Sequence, residues 1–100
     1  MAPTNEQKKR FRSIAHSLKP TVTISSNGLS ESVLAEIDRA LNDHELIKIK
    51  LMIADRESRE QLTADICRIS QSELIQAVGK IIVILREAKR PKIRLSNLRR

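Results

Sequence analysis

The sequence predicts an α/β fold: a single-domain α-β-α-β-α-β-β sandwich with helices packed on a small mixed sheet. Three observations predict it. Apolar residues recur at helical spacing in three stretches, aliphatic and β-branched runs alternate with those stretches, and Asn27-Gly28 and Gly79-Lys80 supply turns at the junctions. With 100 residues, 40% of them hydrophobic, the chain can close one modest core and has too few residues for a second. Residues 1–100 therefore read as one domain, with a core over about 4–86 and a basic tail over 87–100.

Thr4 and Gln7 stand at capping-box spacing. Phe11, Ile14, Ala15 and Leu18 follow at i, i+3, i+4 and i+7, marking a first helix that ends before Lys19-Pro20. Lys8, Lys9 and Arg12 lie off that stripe, so the helix turns a basic face to solvent. Over Thr21 to Ser25 the period is two, with Val22 and Ile24 facing one way and Thr21, Thr23 and Ser25 the other. The turn Ser26-Asn27-Gly28-Leu29 suits a positive φ, Ser30 follows as N-cap, and Leu29 is placed to staple to Leu34. Val33, Ile37, Ala40 and Leu41 then form the buried stripe of a second helix.

Leu46 to Ile53 reads as a strand with Ile47, Ile49, Leu51 and Ile53 on one face and Leu46, Lys48, Lys50 and Met52 on the other. The two lysines imply that this second face is at least partly wet. Asp55 caps a third helix whose inward positions are Leu62, Ile66 and Ile69. Glu73–Val78 and Lys80–Arg86 pair as a hairpin through Gly79-Lys80. Ile81 to Leu85 is apolar on both faces, which makes the last strand central or covered. Beyond it the chain holds Pro91 and shows no strong period.

The net charge of +7 is concentrated at the two ends. Lys8, Lys9, Arg10, Arg12 and Lys19 face only Glu6 in the first twenty residues, and Arg86, Lys89, Arg90, Lys92, Arg94, Arg99 and Arg100 face only Glu87 in the last fifteen. Basic ends around a mildly acidic centre suit a polyanion, nucleic acid before membrane. No apolar run approaches the ~18 residues of a membrane span, and the N-terminus lacks the apolar core of a signal peptide, so a cytoplasmic protein is expected. A single cysteine, Cys67, fits a reducing compartment.

Catalytic chemistry is sparse. His16 and His44 sit at expected helix ends, Cys67 lies beside a core stripe, and Asp55, Glu57 and Glu60 cluster where acids suit a helix dipole. Gly28 and Gly79 are the only glycines, too few for a Walker loop or a dinucleotide fingerprint. No enzyme, cofactor, metal or small-molecule substrate is expected. With Phe11 as the only aromatic residue, no base-stacking platform of the RRM or OB kind exists. Nucleic acid would be held through its backbone by Lys, Arg and main-chain N–H groups. Ser25, Ser26, Asn27, Gly28 and Ser30, between a strand end and a helix start, offer such groups.

The run from Leu18 to Leu51, with "DRES" at 55–58 and "VGKIIVILR" at 78–86, resembles the bacterial YhbY proteins, stand-alone CRM (chloroplast RNA splicing and ribosome maturation) domains. The resemblance covers about residues 8–90. It implies a fold similar to the C-terminal domain of translation initiation factor three, and RNA binding on precursors of the large ribosomal subunit. The family's G-x-x-G loop, likened to the backbone clamp of KH domains, falls on Ser25 to Gly28, with Ser25 in place of the first glycine. Ser25 keeps the loop shape if its φ is negative. Leu85 stands where relatives often carry Tyr, so no aromatic RNA contact is expected there.

The expected RNA contacts are thus the loop residues with Lys8, Lys9, Arg12 and Lys19 from the first helix, Lys48, Lys50 and Lys80 from the sheet, and Arg86, Lys89, Arg90 and Lys92 from the tail. A monomer is expected. A non-specific DNA binder and a protein-interaction module with an acidic partner remain open as alternatives.

Overall fold

In the computed structural model, which describes residues 3–99, seven elements follow in the expected order. They are α1 (Asn5–His16), β1 (Val22–Ile24), α2 (Glu31–His44), β2 (Leu46–Leu51), α3 (Arg56–Ser70), β3 (Glu73–Val78) and β4 (Ile81–Leu85). Arg100, counted with the basic tail, lies outside the described residues.

Local chemistry fixes the helix starts. Thr4 and Gln7 exchange side-chain and backbone hydrogen bonds as a capping box, and Ser30 and Asp55 accept the N–H groups of Val33 and Ser58. The four-stranded sheet has the order β1-β2-β4-β3, with β1 parallel to β2 and the other pairs antiparallel. β4 is central, as its two apolar faces require.

The sheet is covered on both sides, giving three layers. Ile47, Ile49 and Leu51 join Val22, Ile24, Ile82 and Ile84 beneath Ile37, Ala40 and Leu41 of α2 and Ile66 of α3. On the other face Leu46, Val83, Leu85 and Ile75 pack on Phe11 and Ala15 of α1. Each Ile or Leu so buried contributes roughly 1.5–3 kcal/mol of transfer free energy.

Two expectations are corrected. Ile69 is 45% exposed; Thr63, Ile66 and Ser70 are the buried residues of α3, and the expected Leu62 packs half-buried against the core. The hydroxyls of Thr63 and Ser70 donate to the carbonyls of Arg59 (2.7 Å) and Ile66 (2.6 Å), so these polar residues enter the core with their donors satisfied. The second strand ends at Leu51, leaving Ile53 outside it and half-buried.

Residues 87–99 fold back as a strap across the junction of α2 and β2. Ser96 and Asn97 are buried, and Leu98 packs on the α1 face of the sheet.

Candidate nucleic-acid interface

The loop after β1 is closed by its own groups. Gly28 N–H donates to the Ser25 carbonyl at 3.1 Å, and Asn27 N–H donates to Ser25 Oγ at 3.4 Å. Gly28 has φ +80°, while Ser25 is not among the residues of positive φ, so serine meets the conformation this position asks for. A Cβ placed on Gly28 would meet nothing within 4 Å, so the loop backbone faces open space. Ser30 Oγ accepts Val33 N–H at 3.2 Å and is 3.0 Å from Ser32 Oγ. The earlier N–H groups of α2 have no helical acceptor and point out of its positive end.

The sheet presents the second part. α1 covers Leu46, Val83 and Leu85 but leaves open the row formed by register partners Thr23, Lys50, Ile81 and Val78. Val78 is 61% exposed there. Between the α1 edge (Arg12, Ala15 and His16) and the sheet residues Lys48, Gln76 and Ile81 runs a groove of about 390 Å³. Lys80 stands in the adjoining hairpin turn, whose carbonyl accepts Leu51 N–H at 2.7 Å and so pins the turn to the end of β2.

Charge pairing separates the basic residues into two groups. Among the described residues the ion pairs are Arg56–Glu60, Arg68–Asp65, Arg86–Asp38, Lys92–Asp43 and Arg99–Glu45. None involves Lys8, Lys9, Arg12, Lys19, Lys48, Lys50 or Lys80. Lys9, Lys19, Lys50 and Lys80 are exposed; Lys8, Arg12 and Lys48 are half-buried. The structure thus places Arg12 of α1 and Lys48 of the sheet on the two banks of one groove, while Lys8, Lys9, Lys19, Lys50 and Lys80 do not line it.

The strap cations divide differently. Arg86, 21% exposed, donates to the carbonyls of Ser70 (2.9 Å) and Asp38 (3.1 Å) and to Asn42 Oδ1 (3.0 Å), which makes it a tie between α2, α3 and β4. Lys92 is bonded to Asp43, whose carboxyl that contact holds below the usual range. Lys89 and Arg90 are exposed.

The strap is anchored by Glu45, whose side chain is fully buried. Its carboxylate accepts Ala88 N–H (2.8 Å), Ser96 Oγ–H (2.7 Å) and Arg99 Nε–H (3.3 Å). Burial would raise its pKa, but these three donors outweigh burial and hold it below the ordinary value. Sequence reasoning missed Glu45, since nothing distinguishes it from any acid at a helix end. It also passed over Gln76 and Val78 as groove walls. Lys48 and Lys50, two apart on one strand, marked the open face, but its far bank depends on which strand pairs with β4.

Burial pushes the Cys67 thiol up, away from thiolate chemistry, and among the described residues no cluster of His, Cys, Asp and Glu is placed to hold a metal ion. None of the described helices is long and apolar enough to cross a membrane. A wider groove of about 560 Å³ between α3 and β3 has Arg56 and Glu60 among its charged lining residues, and these two are paired at 3.1 Å.

An α/β domain with a glycine turn at a helix start beside an open basic sheet face is the class defined by this geometry. The CRS1/YhbY (CRM) domain profile matches residues 4–86, and the chain belongs to this family. It is 51% identical over 100 residues to a probable RNA-binding protein of Pseudomonas aeruginosa, covering all of this chain and 96% of that one. An RNA-binding protein of Haemophilus influenzae is 42% identical over 92 residues, 92% of this chain and 93% of its own length. The solution structure of a hypothetical protein from Staphylococcus aureus, proposed there to bind RNA, superposes with a TM-score of 0.78. It is 34% identical and the match covers 89% of this chain and 93% of that one.

Proposed function

We propose that the protein is a non-catalytic RNA-binding protein that acts on structured ribosomal RNA in large-subunit assembly, as a cytoplasmic monomer without cofactor. The observation that carries the RNA reading is the set of cations in and around the α1–sheet groove that have no acidic partner among the described residues, beside a loop whose backbone faces open space. Lys8, Lys9, Arg12, Lys19, Lys48, Lys50 and Lys80 would meet phosphates along this path. Ser25, Ser26, Asn27, Gly28 and Ser30 would hold one at the start of α2. The exposed Lys89 and Arg90 would add contacts from the strap, whereas Arg86 and Lys92 act indirectly, Arg86 by tying α2 and α3 to β4 and Lys92 by holding the strap to Asp43. Family membership supports RNA as the partner, and the ribosomal precursor is what the resemblance to YhbY proteins implies.

The test is a salt titration of RNA binding with Lys48→Ala/Lys50→Ala. Each lost phosphate contact lowers the slope of log K against log salt by about 0.7 on single strands and about 0.9 on duplex. The double variant is expected to lower it by about 1.4 to 1.8 with its melting curve unchanged. An unchanged slope would remove the sheet face from the interface, and equal affinity for DNA at matched salt would remove RNA selectivity. Sedimentation of cell lysate tests the ribosomal step. Co-migration with large-subunit precursors, lost as salt rises, is expected; protein found only at the top of the gradient at every salt would overturn it.

A further inference from the structure

The groove between α1 and the sheet differs from a plain phosphate track in one respect: its floor is apolar. Ala15 of α1 and Ile81 and Val83 of β4 line it, and Val78 stands open at its lip. Phosphates gain nothing from such a floor, since they prefer donors and water. Gln76 projects from the edge strand into the same groove, and among the described residues its amide makes no side-chain hydrogen bond. A primary amide is both donor and acceptor, the pattern used to read a base edge.

Resting on the RNA reading above, we infer that this groove accommodates an unpaired nucleobase. The ring lies on the aliphatic floor, the Gln76 amide meets its edge, and Arg12 and Lys48 hold the phosphates on either side. Its volume of about 390 Å³ falls in the range of small-ligand sites and exceeds the space a single base needs. Charge complementarity names the occupant. Arg12, His16 and Lys48 on the walls and Lys50 and Lys80 nearby bring no carboxylate with them, which favours a nucleotide over an apolar peptide. An A-form duplex keeps its base edges stacked inside, so the preferred target is RNA with a bulged, looped or single-stranded nucleotide.

The experiment compares short homopolymers of A, C and U with a duplex of equal length, at matched salt, for the wild type, Gln76→Ala and Gln76→Glu. The wild type is expected to bind its preferred homopolymer about tenfold tighter than the duplex, with a clear ranking among the three. Gln76→Ala should flatten that ranking while the salt slope stays unchanged, because no phosphate contact is lost. Gln76→Glu, an acceptor only, should shift the ranking toward C and A, whose edges carry amino donors. If Gln76→Ala lost its cooperative melt, Gln76→Glu would carry the same decision. Duplex bound as tightly as every single strand, or a ranking untouched by either variant, would overturn the inference and leave the RNA reading standing. Wild-type protein that binds no RNA at all would overturn both.

Discussion

The two ends of this molecule treat polar groups in opposite ways. At the strap end the Glu45 carboxylate, the His44 and Leu46 carbonyls, the His44 ring and the Asp43 carboxylate each have a partner from residues 88–99. At the loop end and along the sheet, cations stand without acidic partners among the described residues, and the α2 N–H groups that precede Val33 have no helical acceptor. A saturated network rigidifies but has nothing left to offer a ligand. An unsaturated one is tolerated only because it is exposed, where water meets its needs until an anion replaces it. Substitutions at the strap end should therefore change stability, and those at the groove should change binding.

Glu45 should give the largest effect. Glu45→Gln keeps the shape but removes the charge from a site that receives three donors, and is expected to lower unfolding free energy by about 2–3 kcal/mol in chemical denaturation. Its φ of +64° is unfavourable for glutamate, so the network must hold the backbone there as well. The folded pKa is depressed, so this contribution is present above the ordinary glutamate range and lost as pH falls through the lower folded value. Wild-type stability should decline below about pH 4, and Glu45→Gln should show a shallower decline. Asp43 and Asp55, also depressed by their partners, should keep some slope in the variant. The RNA salt slope is expected to stay constant. A drop of about 0.7 or more would show that Lys89 and Arg90 contact RNA only when the strap is clasped.

Gly28→Ala should act at the other end with a smaller stability effect. At φ +80° an added Cβ costs about 1–2 kcal/mol from backbone conformation alone, since no neighbouring atom opposes it. That methyl would stand where an RNA backbone must approach, so affinity should fall more than the stability loss accounts for. A variant that binds as tightly as the parent at a temperature where both are folded would move the RNA off the loop.

Much of this arrangement was legible beforehand, and the reason differs by region. The helix starts, the Val22/Ile24 alternation and the two-faced apolar β4 depend on residues near one another in sequence, so local rules reach them. The Asn27-Gly28 turn and the wet face of Lys48 and Lys50 were legible for the same reason. Ile69 was misplaced because Thr63 and Ser70 can turn inward by bonding helix carbonyls, which apolar periodicity does not register. The strap was illegible because its partners lie 43 to 54 residues away. Arg86 looked like any tail cation until the fold placed Ser70, Asp38 and Asn42 around it. The groove needed the strand order, since Lys48 and Gln76 share it only through β4 between them.

The smallest effect belongs to Ser25, where the family loop carries glycine. Were glycine needed for its positive φ, Ser25→Gly would relieve strain and improve both stability and RNA affinity. The negative φ of Ser25 predicts the reverse. Glycine gains freedom in the unfolded chain without any compensating relief, and the Asn27 N–H loses its bond to Ser25 Oγ. Thermal unfolding should therefore show a loss of roughly 0.4–1 kcal/mol. Loop shape is already set by Gly28 and its bond to the Ser25 carbonyl, which survives the substitution, so affinity should change little. A gain in RNA affinity would instead mean that the serine hydroxyl, not the backbone, stands in the way of a closer phosphate approach.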